Sequence, residues 1–151
     1  MADAGTLKLE VVAAFKNVVK PGVDQIAPHQ CLECDELRCA LHPYESVNVP
    51  DSVMDKHRGD LPLLSDESKH YYLPAWVLRS IDAPDSYYTD ALIFALDSDH
   101  CWEPSPDYSK RQWRVLLAYL DHIRVRADAF SRPGVDGAIA RTQARLELCA
   151  G

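Results

Sequence analysis

The stretch His29-Gln-Cys-Leu-Glu-Cys-Asp-Glu-Leu-Arg-Cys-Ala-Leu-His42 decides how the fold is read, because it holds three of the five cysteines and two of the six histidines. Taken as metal chemistry, Cys31-x-x-Cys34 followed by Cys39-x-x-His42 has the donor types of a zinc knuckle, but only four residues separate the pairs, where a zinc ribbon has about a dozen or more. Taken as backbone chemistry, the residues in between contain neither Gly nor Pro and are mostly good helix formers, which predicts a helix. A helix rises about 1.5 Å per residue, so Cys31 and His42 would stand roughly 16 Å apart along its axis, too far for one tetrahedral ion.

Two readings of the segment follow. Cys34, Leu37 and Leu41 recur at spacings of three and four, the inward stripe of an amphipathic helix, with Glu33, Asp35, Glu36 and Arg38 on the wet face. In that reading the cysteines are small buried hydrophobes and the chain needs no cofactor. The alternative keeps Cys31 and Cys34 as zinc ligands on one face, completed by His29, His57, His70 or His100. An odd cysteine count argues against a disulfide framework.

Outward from this segment the signals are helical. Thr6 is placed to cap a helix reaching about Val19, with Leu7, Val11, Ala14, Phe15 and Val18 on one stripe. Pro50 and Asp51 open a short helix that stops at Gly59, and Ser65 opens another with Asp66 and Glu67 in its first turn. Pro74 lacks a backbone N–H and restricts Leu73, so an interruption is expected there, with Tyr72 and Trp76 on its two sides. A fresh start after Asp82-Ala-Pro-Asp-Ser leads into Ala91, Leu92, Ile93, Ala95 and Leu96, and residues 97–108 read as a loop. Ser109-Lys-Arg-Gln112 has capping-box spacing and opens a long helix to about Phe130, closed by Arg132-Pro-Gly. A last, weakly amphipathic and loosely packed helix is expected from about Asp136 to Leu148. No stretch alternates strictly enough for a strand, so the expected fold is all-α: one compact domain of six to seven helices, one of them interrupted at a proline.

Composition narrows function. Residues 1–108 hold 8 Lys or Arg against 19 Asp or Glu, a balance of −11, whereas residues 109–151 hold 8 against 4, a balance of +4. An acidic body repels phosphate backbones, which disfavours nucleic acid, and favours a basic protein partner by electrostatic steering. The N-terminal residues lack the basic-then-apolar pattern of an export signal, and no apolar run approaches the about twenty residues of a membrane span, so the expected setting is cytoplasmic. There is no Gly-rich phosphate loop, His-Glu-x-x-His or Gly-x-Ser-x-Gly. Asp97-x-Asp99 opens like a calcium loop but has Trp102 at its sixth position and Tyr108 at its twelfth.

Asp60-Leu-Pro-Leu-Leu-Ser65 and Tyr71-Tyr-Leu-Pro-Ala-Trp76, with the Cys31/Cys34 segment upstream and the Ser109-x-x-Gln112 helix downstream, resemble a family of small bacterial proteins whose domain has no assigned function. The resemblance spans roughly residues 28 to 123 and implies neither a reaction nor catalytic residues. In that family the Cys-x-x-Cys matches the pair here, while Cys39 and His42 are additions.

What remains is an acidic, aromatic region. Tyr and Trp are enriched at interface hot spots, and Tyr87, Tyr88, Asp97, Asp99, Trp102, Glu103 and Asp107 combine such anchors with carboxylates. The leading expectation is a non-enzymatic module that binds a basic protein, such as an immunity or inhibitor protein blocking a cognate toxin or effector. The alternative is a zinc-binding regulatory or structural domain built on Cys31 and Cys34, and a third reading is an enzyme of unrecognised type.

Overall fold

The computed structural model describes residues 3–97 and 108–149. Among these are seven α-helices, three single 3-10 turns and no strand: α1 (Ala4–Phe15), α2 (Leu32–Leu41), α3 (Asp51–His57), α4 (Asp66–Asp82), α5 (Tyr87–Leu96), α6 (Lys110–Arg124) and α7 (Arg132–Leu148). The all-α bundle expected from the sequence is the fold observed.

Helix α4 is the hub. It packs against α1, α5 and α6, while α7 lies across α5 and α6. Tyr71 to Val77 are all buried, so this helix is surrounded over two full turns. That explains the largest departure from expectation: α4 continues through Pro74 without interruption. Pro74 supplies no N–H to the carbonyl of His70, a defect that breaks isolated helices. Here the apolar faces on both sides of the proline bury against different neighbours, and packing outweighs the lost bond. Tyr72 and Trp76 still act as anchors. The Tyr72 hydroxyl donates to the Leu41 carbonyl at 3.1 Å, tying α4 to the end of α2. Trp76 Nε1 donates to the Arg58 carbonyl at 2.9 Å, tying it to the end of α3.

Other corrections concern helix ends. The cap of α1 is Asp3, whose carboxylate accepts the Thr6 N–H at 2.7 Å, and α1 stops at Phe15, a turn earlier than the apolar stripe predicts. Ser109 and Gln112 do form the expected capping box, but α6 ends at Arg124. Arg132-Pro-Gly does not close α6; Pro133 sits in the first turn of α7, where a missing N–H costs nothing. Nor is α7 loose: Val135, Ala138 and Thr142 are buried at spacings of three and four. A Cβ on Gly134 would lie 3.1 Å from Ile93 Cγ2, so the glycine permits the close crossing of α7 over α5.

Helix α2 forms as the spacing predicts, with Cys34, Leu37 and Leu41 inward. Arg38 differs: it is buried, not on the wet face. Its guanidinium donates to the carbonyls of Ala27 (2.7 Å) and His29 and to the Asp35 carboxylate (2.6 Å). Arg has five fixed donors, and satisfying them on loop carbonyls makes its burial tolerable. The bond fixes the rotation of α2 about its axis.

Candidate functional site

The sequence points to two places, and their geometry differs. At the first, Cys31 is the N-cap of α2 and its Sγ accepts the Cys34 N–H at 3.4 Å. Cys31 is exposed, Cys34 is buried, and both are free thiols. Burial, then the hydrogen bond with Cys31, pushes the Cys34 thiol pKa above its ordinary value. Among the described residues no group of three or more His, Cys, Asp or Glu side chains is placed to hold a metal.

At the second place, the acidic aromatic region, the expected residues separate. Tyr88 is buried, and its hydroxyl donates to Asp55 Oδ1 at 2.7 Å; the expectation of a surface anchor there is corrected, because its ring belongs to the core. Tyr87 is 61% exposed, with the Arg58 guanidinium 4.8 Å from its ring centroid. Asp97 is half-buried beside α7 and pairs with Arg141 at 3.4 Å. Asp99, Trp102, Glu103 and Asp107 lie outside the described residues.

One exposed aromatic escaped the sequence reading. Phe94 is 60% exposed, and Tyr87, Asp90 and Phe94 follow one another at spacings of three and four, which places them along one outward line of α5. The signal was present in that spacing, but an apolar residue amid Ile93, Ala95 and Leu96 reads as core by composition. Inward, the same helix buries Tyr88, Leu92, Ala95 and Leu96.

Beside this line lies a groove of about 570 Å³ between the start of α5, the end of α6 and the turn leading into α7. Asp85, Asp90 and Asp128 bring three carboxylates to it, and Phe130, 93% exposed, stands on it. Asp85 and Asp90 take part in none of the ion pairs of the described residues. Asp128 accepts the Ser131 N–H at 2.8 Å, which holds its carboxyl below the usual range and keeps it charged. The Arg126 guanidinium, also on the groove, donates to the His122 carbonyl at 2.8 Å.

Thr89 on the groove joins a buried hydroxyl cluster. Ser80 Oγ lies 2.5 Å from both Thr89 Oγ1 and Tyr119 Oη, and burial raises the pKa of Tyr119, so the cluster keeps its protons. No nucleophile, base and orienting group converge here. The chemistry on offer is recognition: carboxylates for a cation, with aromatic and aliphatic surface around them.

No family model, no curated protein and no solved structure matches the chain. The resemblance over residues 28–123 therefore assigns no residue a role, and function rests on the geometry above. No helix of the described residues is long and apolar enough to cross a membrane.

Proposed function

We propose that this protein is a non-enzymatic binding module that docks a basic segment of another protein on the outer line of α5 and the adjoining groove. The observation that supports this reading is the pairing of exposed aromatic surface, Tyr87, Phe94 and Phe130, with the carboxylates of Asp85, Asp90 and Asp128 in one place. A net charge of −7 steers a cationic partner towards the protein. Desolvated rings then supply the short-range affinity. An arginine or lysine side chain is the occupant whose charge complements the groove. Inhibition of a basic toxin or effector, in the manner of an immunity protein, is the biological form this chemistry serves.

The test uses a helical peptide rich in arginine and leucine, with association and dissociation followed separately by surface plasmon resonance. Charge reversal of Asp85 and Asp90 to Lys slows association about tenfold, and raised salt does the same to the unaltered protein. Phe94→Ala and Phe130→Ala instead speed dissociation, each by about 30-fold for a hot spot of roughly 2 kcal/mol. The control reverses Asp24 and Glu33, exposed carboxylates at the other end of the sequence. Equal loss in that control, or equal kinetics in all the variants, removes this surface as the docking site.

A further inference from the structure

The first turn of α2 sets two thiols against each other. Cys31 is the N-cap of the helix, and its Sγ accepts the Cys34 N–H at 3.4 Å. That contact holds the Cys31 sulfur against the residue whose side chain it would bond, and the two side chains also share a hydrogen bond. Residues three apart at a helix start are neighbours on one face, within the Cα separation of about 4.4–6.8 Å that a disulfide spans.

The two thiols have different surroundings. Cys31 is exposed, so a molecule in solution can reach its sulfur. Cys34 is 0% exposed and closed to such a molecule, but it is in contact with Cys31. Burial first, then the bond with Cys31, keeps the Cys34 proton in place, whereas the Arg38 guanidinium favours the Cys34 thiolate. That guanidinium is fixed by the carbonyls of Ala27 and His29. Outside the pair, Glu33 and Glu36 are exposed carboxylates, and Leu32, next to Cys31, is 74% exposed.

We propose that Cys31 and Cys34 form a redox-active dithiol that reduces a disulfide carrying positive charge beside its sulfurs, with Cys31 as the attacking thiol and Cys34 as the thiol that resolves the adduct. The Cys31 thiolate attacks one sulfur of the incoming disulfide. The substrate S–S bond breaks, a Cys31–substrate disulfide forms, and the first substrate thiolate leaves, taking up the proton that Cys31 released. Cys34 then attacks Cys31 Sγ and passes its proton to the second departing thiolate. The products are a Cys31–Cys34 disulfide and two free thiols: the protein loses two electrons and two protons, and the substrate gains both. The second step joins groups already in contact, so it outpaces attack by an external thiol. Glu33 and Glu36 attract the cationic substrate, and Leu32 offers it an apolar surface. The pair belongs to α2 and the docking groove to α5, α6 and α7, so the two readings stand or fall separately.

The experiment mixes the reduced protein with one equivalent of cystamine, a disulfide with an ammonium group at each end, quenches with acid and reads the cysteine peptides by mass spectrometry. The expected product is a Cys31–Cys34 peptide two hydrogens lighter, without bound cysteamine. Cys39, exposed on the same helix, is modified at least about tenfold less, because no second thiol drives its adduct forward. Cys34→Ala, with folding checked by circular dichroism, stops the reaction at a cysteamine adduct on Cys31, and Cys31→Ser leaves Cys34 a thiol. Dithiodiglycolate, which carries carboxylates in place of the ammonium groups, reacts about tenfold more slowly at low salt, and the difference closes at high salt. A stable cysteamine adduct on Cys31 of the unaltered protein, with Cys34 still a thiol, overturns the dithiol, and this readout needs no variant to fold. Equal rates with the two disulfides at low salt overturn the charge assignment.

Discussion

Helices α4 and α5 each carry a pair of adjacent tyrosines and they pack on each other, yet the pairs meet different fates. Tyr71 and Tyr72 are both buried, whereas Tyr88 is buried and Tyr87 is 61% exposed. Neighbours in a helix point about 100° apart, so both rings of a pair are covered only where other elements surround the helix. Around α4 they do. Around α5 they stop short, and Tyr87, Asp90 and Phe94 stay exposed along one line. The polar tips divide in the same way: the buried Tyr72, Trp76 and Tyr88 each donate to a protein acceptor. These three covered aromatics are thus tied into the fold by their polar tips as well as by their rings.

The largest expected effect breaks or keeps this contrast directly. Trp76→Ala removes a fully buried ring and its bond to Arg58, and destabilises the protein by about 3–5 kcal/mol in urea unfolding. Phe94→Ala changes stability by no more than about 0.5 kcal/mol, as surface substitutions do. If the two substitutions cost the same, α4 is not the core that its burial implies.

Proton binding sharpens the contrast. Burial raises the pKa of Tyr71, Tyr72, Tyr88, Tyr108 and Tyr119 above 10.0. The folded state keeps protons that the unfolded chain releases, so this stabilisation is complete below pH 10 and is lost as the pH rises above it. A smaller effect appears at the acid end. His122, held below 6.5 by burial and then by Arg126, stays neutral while the unfolded chain gains a proton, so stability falls as the pH drops below 6.5. Urea midpoints should therefore form a plateau near neutrality, falling on the alkaline side through the tyrosines and on the acid side partly through His122. Tyr72→Phe should flatten the alkaline limb and leave the acid one; an unchanged alkaline limb would detach it from α4.

How much of this was legible in the sequence depends on the range of the interaction. The α2 stripe, the Ser65 start and the Ser109/Gln112 capping box are local, decided within four residues, and the sequence predicts each of them. Pro74 was misread because its cost is local while the packing that offsets it comes from α1, α5 and α6. Arg132-Pro-Gly was misread because the same dipeptide signal that ends one helix also begins the next. Arg38 reads as a surface charge until the loop carbonyls that take its hydrogens are known. The candidate sites are less legible still. Phe94 is exposed although its neighbours in sequence, Ala95 and Leu96, are core, a distinction that composition does not carry.

The smallest expected effect tests the one edge of α5 that is covered late in the chain. At Gly137 the backbone of α7 comes so close that a Cβ would lie 2.2 Å from Asp97 Oδ1 and 2.9 Å from its Cγ. Alanine favours a helix interior over glycine by about 1 kcal/mol. Against this, Gly137→Ala forces the Asp97 carboxylate away from Arg141, losing a half-exposed ion pair of about 0–1 kcal/mol and adding rotamer strain of about 0.5–1.5 kcal/mol. The terms nearly cancel, so the single substitution lands within about 1 kcal/mol of the unaltered protein. In an Asp97→Ala background there is no carboxylate to displace, and the same Gly137→Ala change stabilises by about 1 kcal/mol. The coupling in a double-mutant cycle is then on the order of 1 kcal/mol, carried by the contact between the end of α5 and α7. If the two substitutions are additive, α7 does not rest on Asp97, and that carboxylate returns to the exposed set available to a basic partner.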